Sequence, residues 1–230
     1  SWRPVGRLSS EGGLYRFVYT RGAEESPNFI PFLRMEDLRV EYRSRELFPL
    51  FADRLLSKTR PEYGDFLNWL NVQPNEDDPF VLLARTGGIR ETDSLMVFPR
   101  PEPSSDGSYH AHFFSHGVRY LSPYAIERVN GLSPGTRLYL MPDPQNPVDV
   151  CAIALRTDTP PTIVGYCPRF FARDFLSLLT ASAPDTSKVK VKVERVNPEA
   201  PTQLRLLCNL TASWPEGLRS CSEPSYDPMA

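Results

Sequence analysis

At 230 residues, with 40% hydrophobic and 11% aromatic side chains, the chain can build packed cores and suggests two domains of about 100 residues each. Its 24 prolines against 13 glycines call for many short elements with hard stops, which argues against a coiled coil or a long helical array. A formal net charge of −2, with the two halves hardly differing, excludes a protein-wide positive field, so any nucleic-acid site is expected to be a local pocket.

In chain order, the first half reads as mixed α and β. Residues 14–20 alternate, placing Tyr15, Phe17 and Tyr19 on one strand face. A helix is expected after Ser44, with Pro49 in its first turn and Leu47, Leu50, Phe51 and Leu55 on one side. A second follows Pro61, where Tyr63, Phe66, Leu67 and Leu70 keep helical spacing. A third runs from Asp78-Pro79, an N-cap with proline at the first position, to Gly87-Gly88. Residues 94–99 read as a strand closing this unit, and the Pro-, Ser- and Asp-rich 99–107 as the junction between domains.

The second half is mostly strands. Residues 109–121 form one long or bent strand, and 122–131 a short helix opened by Ser122 and Pro123. Strands are expected at 137–141, 150–156 and 162–166, followed by an amphipathic helix over 168–179 that buries Phe171, Phe175, Leu178 and Leu179. Residues 188–196 and 203–212 suit a hairpin turned at Asn197-Pro198, and residues 216–230 a flexible tail. The expected fold class is therefore α+β: a mixed N-terminal lobe over 1–103, then a β-rich domain over 108–215 with a packed helix.

Four widely spaced cysteines, without a C-x-x-C pair, fit a reduced cytoplasmic protein. No apolar run approaches the roughly 20 residues of a membrane span, and no hydrophobic leader opens the chain. His110, His112 and His116 share one strand face, as zinc-binding histidines can. Yet at about 3.3 Å per residue the outer two lie about 20 Å apart, so no metal site is expected. Asp143 and Asp149 fall in a proline-rich turn, where turn-making is the expected role rather than paired acid catalysis. No nucleophile elbow, phosphate loop or metalloprotease motif is present, so no cofactor and no enzymatic activity are expected. Lys188, Lys190 and Lys192 alternate with Val189, Val191 and Val193, which reads either as a backbone-tracking face or as a lysine-guarded strand.

Several segments together carry a family likeness. They are residues 116–121 (HGVRYL), 138–149 (LYLMPDPQNPVD), 152–155 (AIAL) and 164–169 (VGYCPR). In this combination the second half resembles the HIRAN domain, a module fused to SNF2-type helicases and also found in bacterial proteins. The resemblance implies an OB-like barrel that grips a single DNA strand at its 3′ end. By motif position it implies that Arg119 contacts phosphate, Tyr120 stacks on a base and Asp149 reads the terminal hydroxyl. Asn146 belongs to the same turn, Tyr166 lies close to the bound strand, and Arg169 is a further phosphate contact. A helicase or nuclease partner would suit such a module. Val148 stands where the family turn often carries an aromatic, and Leu121 where a second aromatic can follow Arg-Tyr. The first half more loosely resembles the N-terminal lobe of HipA-like kinases, through residues 46–56, Arg60-Pro61 and 80–88, which implies, as the alternative function, an interaction or antitoxin-like protein whose lobe docks a HipA-type kinase or another protein partner.

Overall fold

The computed structural model describes residues 2–90 and 92–230, and the chain divides into two compact units. One comprises residues 1–55 and 219–230. Strands β1 (Gly6–Glu11), β2 (Leu14–Tyr19) and β3 (Tyr42–Ser44) form an antiparallel sheet with β2 at its centre. The alternation of β2 buries Phe17 and Tyr19, around which Phe29, Phe32, Phe48 and Phe51 collect. The Tyr19 hydroxyl accepts from Phe32 N and donates to Met35 O, both at 2.7 Å, so a buried phenol is fully used. Helices α1 (Arg21–Glu24) and α2 (Pro49–Ala52) are single turns. Proline opens α2 as expected, but the helix stops before Leu55.

Residues 216–230, expected as a flexible tail, behave otherwise from Arg219 onward. Met229 N donates to Tyr19 O and Arg21 N to Asp227 O, while Trp2 packs on Tyr226. Backbone hydrogen bonding to the end of β2 that β3 leaves unpaired outweighs the disorder that the Pro- and Ser-rich composition suggests.

The second unit, residues 56–218, contains the β-rich domain. Six strands pair in the order β4 (Ser108–Phe114), β9 (Leu206–Ser213), β8 (Lys190–Val196), β5 (Arg137–Pro142), β6 (Ile153–Arg156) and β7 (Ile163–Tyr166). All neighbours are antiparallel. The sheet curls until its two edge strands meet: His116 N donates to Tyr166 O (2.8 Å) and Tyr166 N returns to His116 O (2.9 Å). Beside this pair, Ser115 Oγ donates to Val164 O at 3.0 Å. The fold is α+β with an OB-like barrel.

Helix α5 (Pro123–Asn130) starts at Ser122, whose hydroxyl accepts from Ala125 N. Helix α6 (Arg169–Ser182) drives Phe171, Phe175 and Leu178 into a core shared with Tyr109, Phe113, Leu138, Ile153, Leu155 and Leu206. Buried Asp174 accepts from the Tyr109 hydroxyl at 3.0 Å.

The unit boundary departs from the expected junction at 99–107. Helices α3 (Tyr63–Leu70) and α4 (Pro79–Thr86) belong with the barrel, not with the N-terminal sheet. The reason is a set of polar ties with long sequence separation. Glu194 of β8 accepts from Asn71 (2.8 Å) and Arg85 (3.1 Å), and Arg195 donates to Asn68 (2.6 Å). Buried Asn197 donates to Trp69 O at 2.9 Å. Residues 94–99 form no strand. Pro99 and Pro101 withhold backbone donors, and the segment instead packs by side chain, Phe98 stacking on Phe170 at 4.5 Å. The long strand expected over 109–121 stops at Phe114. Gly117 takes a left-handed conformation (φ 75°) and starts a 3-10 turn, Val118–Tyr120.

Candidate nucleic-acid interface

The barrel seam fixes the site. Gly165 sits on β7 at φ 126°, with its α-carbon so close to the opposite strand that a Cβ would lie 2.0 Å from Ser115 Oγ and 2.7 Å from His116 O. This approach sets Tyr166, the next residue, beside Gly117 and the 3-10 turn. Half-buried His116 packs edge-on to Phe170, and burial holds its imidazole below the ordinary pKa.

From Tyr166 the site runs in two directions. On one side lies the 3-10 turn, with Arg119 and Tyr120 both exposed, Tyr120 to 76%. The Arg119 guanidinium rests 4.6 Å over the Tyr120 ring and also donates to its hydroxyl. On the other side is the turn between β5 and β6. The Tyr166 hydroxyl donates to Asp143 Oδ2 (3.3 Å), and Asn146 Nδ2 donates to the same oxygen (3.1 Å). The phenol's pKa is raised, first by burial and then by the Asp143 charge, with Asn146 opposing. Asn146 Oδ1 accepts from Val148 N (3.0 Å) and Asp149 N (3.2 Å), so this side chain shapes the loop.

Asp149 and Arg169, which the motif positions give separate roles, form an ion pair. Arg169 Nε lies 2.7 Å from Asp149 Oδ2, and its Nη2 donates to Val148 O at 3.0 Å. The other Asp149 oxygen accepts from Cys151 N. Each group keeps capacity: a carboxylate offers about four lone-pair positions, and a guanidinium five N–H donors. Asp149 is thus an oriented acceptor beside a cation with donors to spare. Val148 and Val150 stand out from the same loop, 78% and 74% exposed.

Of the six residues singled out by motif, Tyr166, Asn146, Asp149 and Arg169 are joined through the β5–β6 turn and its ion pair, while Arg119 and Tyr120 lie on the turn that follows Gly117, which packs on Tyr166. Asp143 joins them as the acceptor that fixes Tyr166, where its sequence context suggested only turn-making. The histidines part company. His110 is exposed, His112 Nδ1 lies 2.5 Å from Glu194, and His116 is at the seam. Among the described residues no cluster of three or more metal-ligating side chains occurs.

Residues 108–215 match the HIRAN domain family. Two solved structures are similar. The HIRAN domain of human HLTF is 20% identical, covering 46% of this chain and 74% of that one, with a TM-score of 0.31. A protein from Lactobacillus plantarum is 17% identical, covering 46% of this chain and 96% of that one, with a TM-score of 0.34. No curated protein matches significantly. The comparisons lend no support to a HipA-like lobe in the first half, and the fold agrees: residues 1–103 are divided between two units. Among the described residues, no helix is long and apolar enough to cross a membrane.

Proposed function

We propose that the barrel binds single-stranded DNA at a free 3′ end, and that the chain is a binding protein rather than an enzyme. The observation that supports this reading is that Tyr166, at the closed seam, lies beside Gly117, which opens the turn bearing exposed Arg119 and Tyr120, and bonds through Asp143 to the turn that carries the Asp149–Arg169 pair. Tyr120 offers a π-face to any base, and Arg119 and Arg169 offer charge to phosphate. Asp149 can accept a hydrogen bond from a terminal 3′ hydroxyl, which an internal phosphodiester lacks. Asp143 and Asp149 together repel a terminal phosphate.

Three variants test this by fluorescence anisotropy with short labelled strands. Tyr120→Ala removes one stacking platform and is expected to weaken binding by about 1–3 kcal/mol, nearly independent of base. Asp149→Asn keeps the shape of the loop but removes the charge, so the preference for a 3′ hydroxyl over a 3′ phosphate is expected to collapse. Conversely, Val148→Tyr adds an aromatic at an exposed position and is expected to tighten binding. Equal wild-type affinity for free and phosphorylated ends would remove Asp149 from its proposed role.

A further inference from the structure

The outer face of the barrel beyond the seam carries a positive surface that the end-binding site does not use. On β8, Val191 and Val193 enter the core, so Lys190 and Lys192 point outward, and both are exposed. Lys192 pairs in register with Arg137 on β5, and two residues along the same strand Tyr139 pairs with Arg156 on β6. The two guanidinium carbons lie 5.4 and 5.3 Å from the Tyr139 ring centroid, one from each side of the register. Among the described residues, no carboxylate forms an ion pair with Lys190, Lys192, Arg137 or Arg156. Two acids lie nearby: Glu194, two residues along β8 from Lys192, is taken up by Arg85 and His112, and Asp185 is lowered in pKa first by hydrogen bonds from Ser187 and only then by Lys188 and Arg137.

Strand register links this face to the seam. Ala154 of β6 pairs with both Met141 of β5 and Tyr166 of β7. The Met141–Ala154–Tyr166 row is therefore adjacent, on the same outer face, to the Tyr139–Arg156 row. From β7 to β8 the path crosses three strand spacings, about 14 Å. Four cations around one aromatic, none of them ion-paired among the described residues, have the chemistry of a groove for a single strand: charge for successive phosphates and a ring on which a base stacks.

We infer that a DNA strand whose end is held at the seam continues across the outer face, over Tyr139 and Arg156, to Arg137, Lys192 and Lys190. The inference rests on the end-binding reading and extends it to the internal nucleotides. It makes affinity depend on strand length, because the end site is filled by the last few nucleotides and the outer face only by a longer strand.

The test compares a 4-nucleotide and a 12-nucleotide strand with the full chain, wild type and Lys190→Glu/Lys192→Glu, over a range of salt. The exposed lysines can be changed without touching the core, and a thermal melt checks this. The expected result is loss of about ten-fold or more in 12-mer affinity, with a salt slope shallower by about 1.4, as for two lost phosphate contacts on a single strand. The 4-mer affinity should stay within about two-fold. Tyr139→Ala should act in the same direction on the 12-mer alone. Unchanged 12-mer binding in both variants overturns the path while leaving the end site standing. Equal loss for both lengths overturns it too, since the lysines would then act as a general field. No binding of either strand by the wild type removes both readings. Loss of anionic-vesicle binding in the charge-reversed variant, with DNA binding intact, assigns the face to lipid and overturns the inference.

Discussion

Gly165→Ala is expected to destabilise the barrel unit by about 3 kcal/mol or more, from two costs that add. A non-glycine residue at φ 126° carries strain of about 1–3 kcal/mol. The new methyl meets Ser115 Oγ at 2.0 Å and the His116 carbonyl oxygen at 2.7 Å. The serine can rotate away, losing its hydrogen bond to Val164 O, but the carbonyl is backbone in the closing pair. Relief therefore means parting the seam, and forcing a group into such a contact costs about 1–3 kcal/mol. Thermal unfolding should show a drop of roughly 6–12 °C for a unit of this size. Because Tyr166 hangs on the same pair, binding of a single strand should fall with it. A variant melting at the wild-type temperature would mean that the seam is not closed as described.

Glu194 should dominate the acid sensitivity of the same unit. Burial alone would raise its pKa. Hydrogen bonds from His112 and Asn71, with the charges of His112 and Arg85, outweigh burial and bring it down to about 2 from 4.5. A carboxyl depressed in the folded state contributes stability that is complete above the unfolded value and is lost as pH falls. The window is thus from about pH 4.5 down toward 2, and the contribution is about 3 kcal/mol, with the side chain only 12% exposed. Glu194→Gln is expected to lower stability near neutral pH by about that amount and to flatten the decline below pH 4.5. Glu194→Ala should do more, leaving Arg85 without its carboxylate and loosening α3 and α4 from β8. Denaturant titrations at several pH values measure both effects, and parallel wild-type and Gln curves would show that the group carries no such coupling.

Local chemistry made much of this fold legible. Asp78, Pro79 and Gly87 bound α4 where capping rules place them, and Ser122 and Pro123 open α5. The alternation of 188–196 and 203–212 reads directly as the β8–β9 pair. The illegible parts depend on partners far along the chain. Glu194 meets Arg85 across 109 residues, and no local pattern shows that this pair ties residues 56–98 to the barrel. His116 and Tyr166 close the seam across 50 positions, so β4 looked longer than it is. The composition of 216–230 suggested disorder, while an unpaired stretch of backbone beside Tyr19 and Arg21 gave its end somewhere to bind. At the site, motif order picked out Asp149 and Arg169, but not that they pair with each other. Tyr139 and Arg156 went unremarked because only their register brings them together.

Whether the seam recognises a DNA end is tested most directly by the wild-type chain and one labelled single strand. Unlabelled competitors of the same sequence would carry a free 3′ hydroxyl, a 3′ phosphate, or no accessible end because the strand is circular. The geometry around Asp149 and Tyr120 predicts that the free 3′ hydroxyl displaces the label at the lowest concentration, that the 3′ phosphate requires more, and that the circle requires the most. Displacement by all three at the same concentration, or no binding of the labelled strand at low salt, would contradict it.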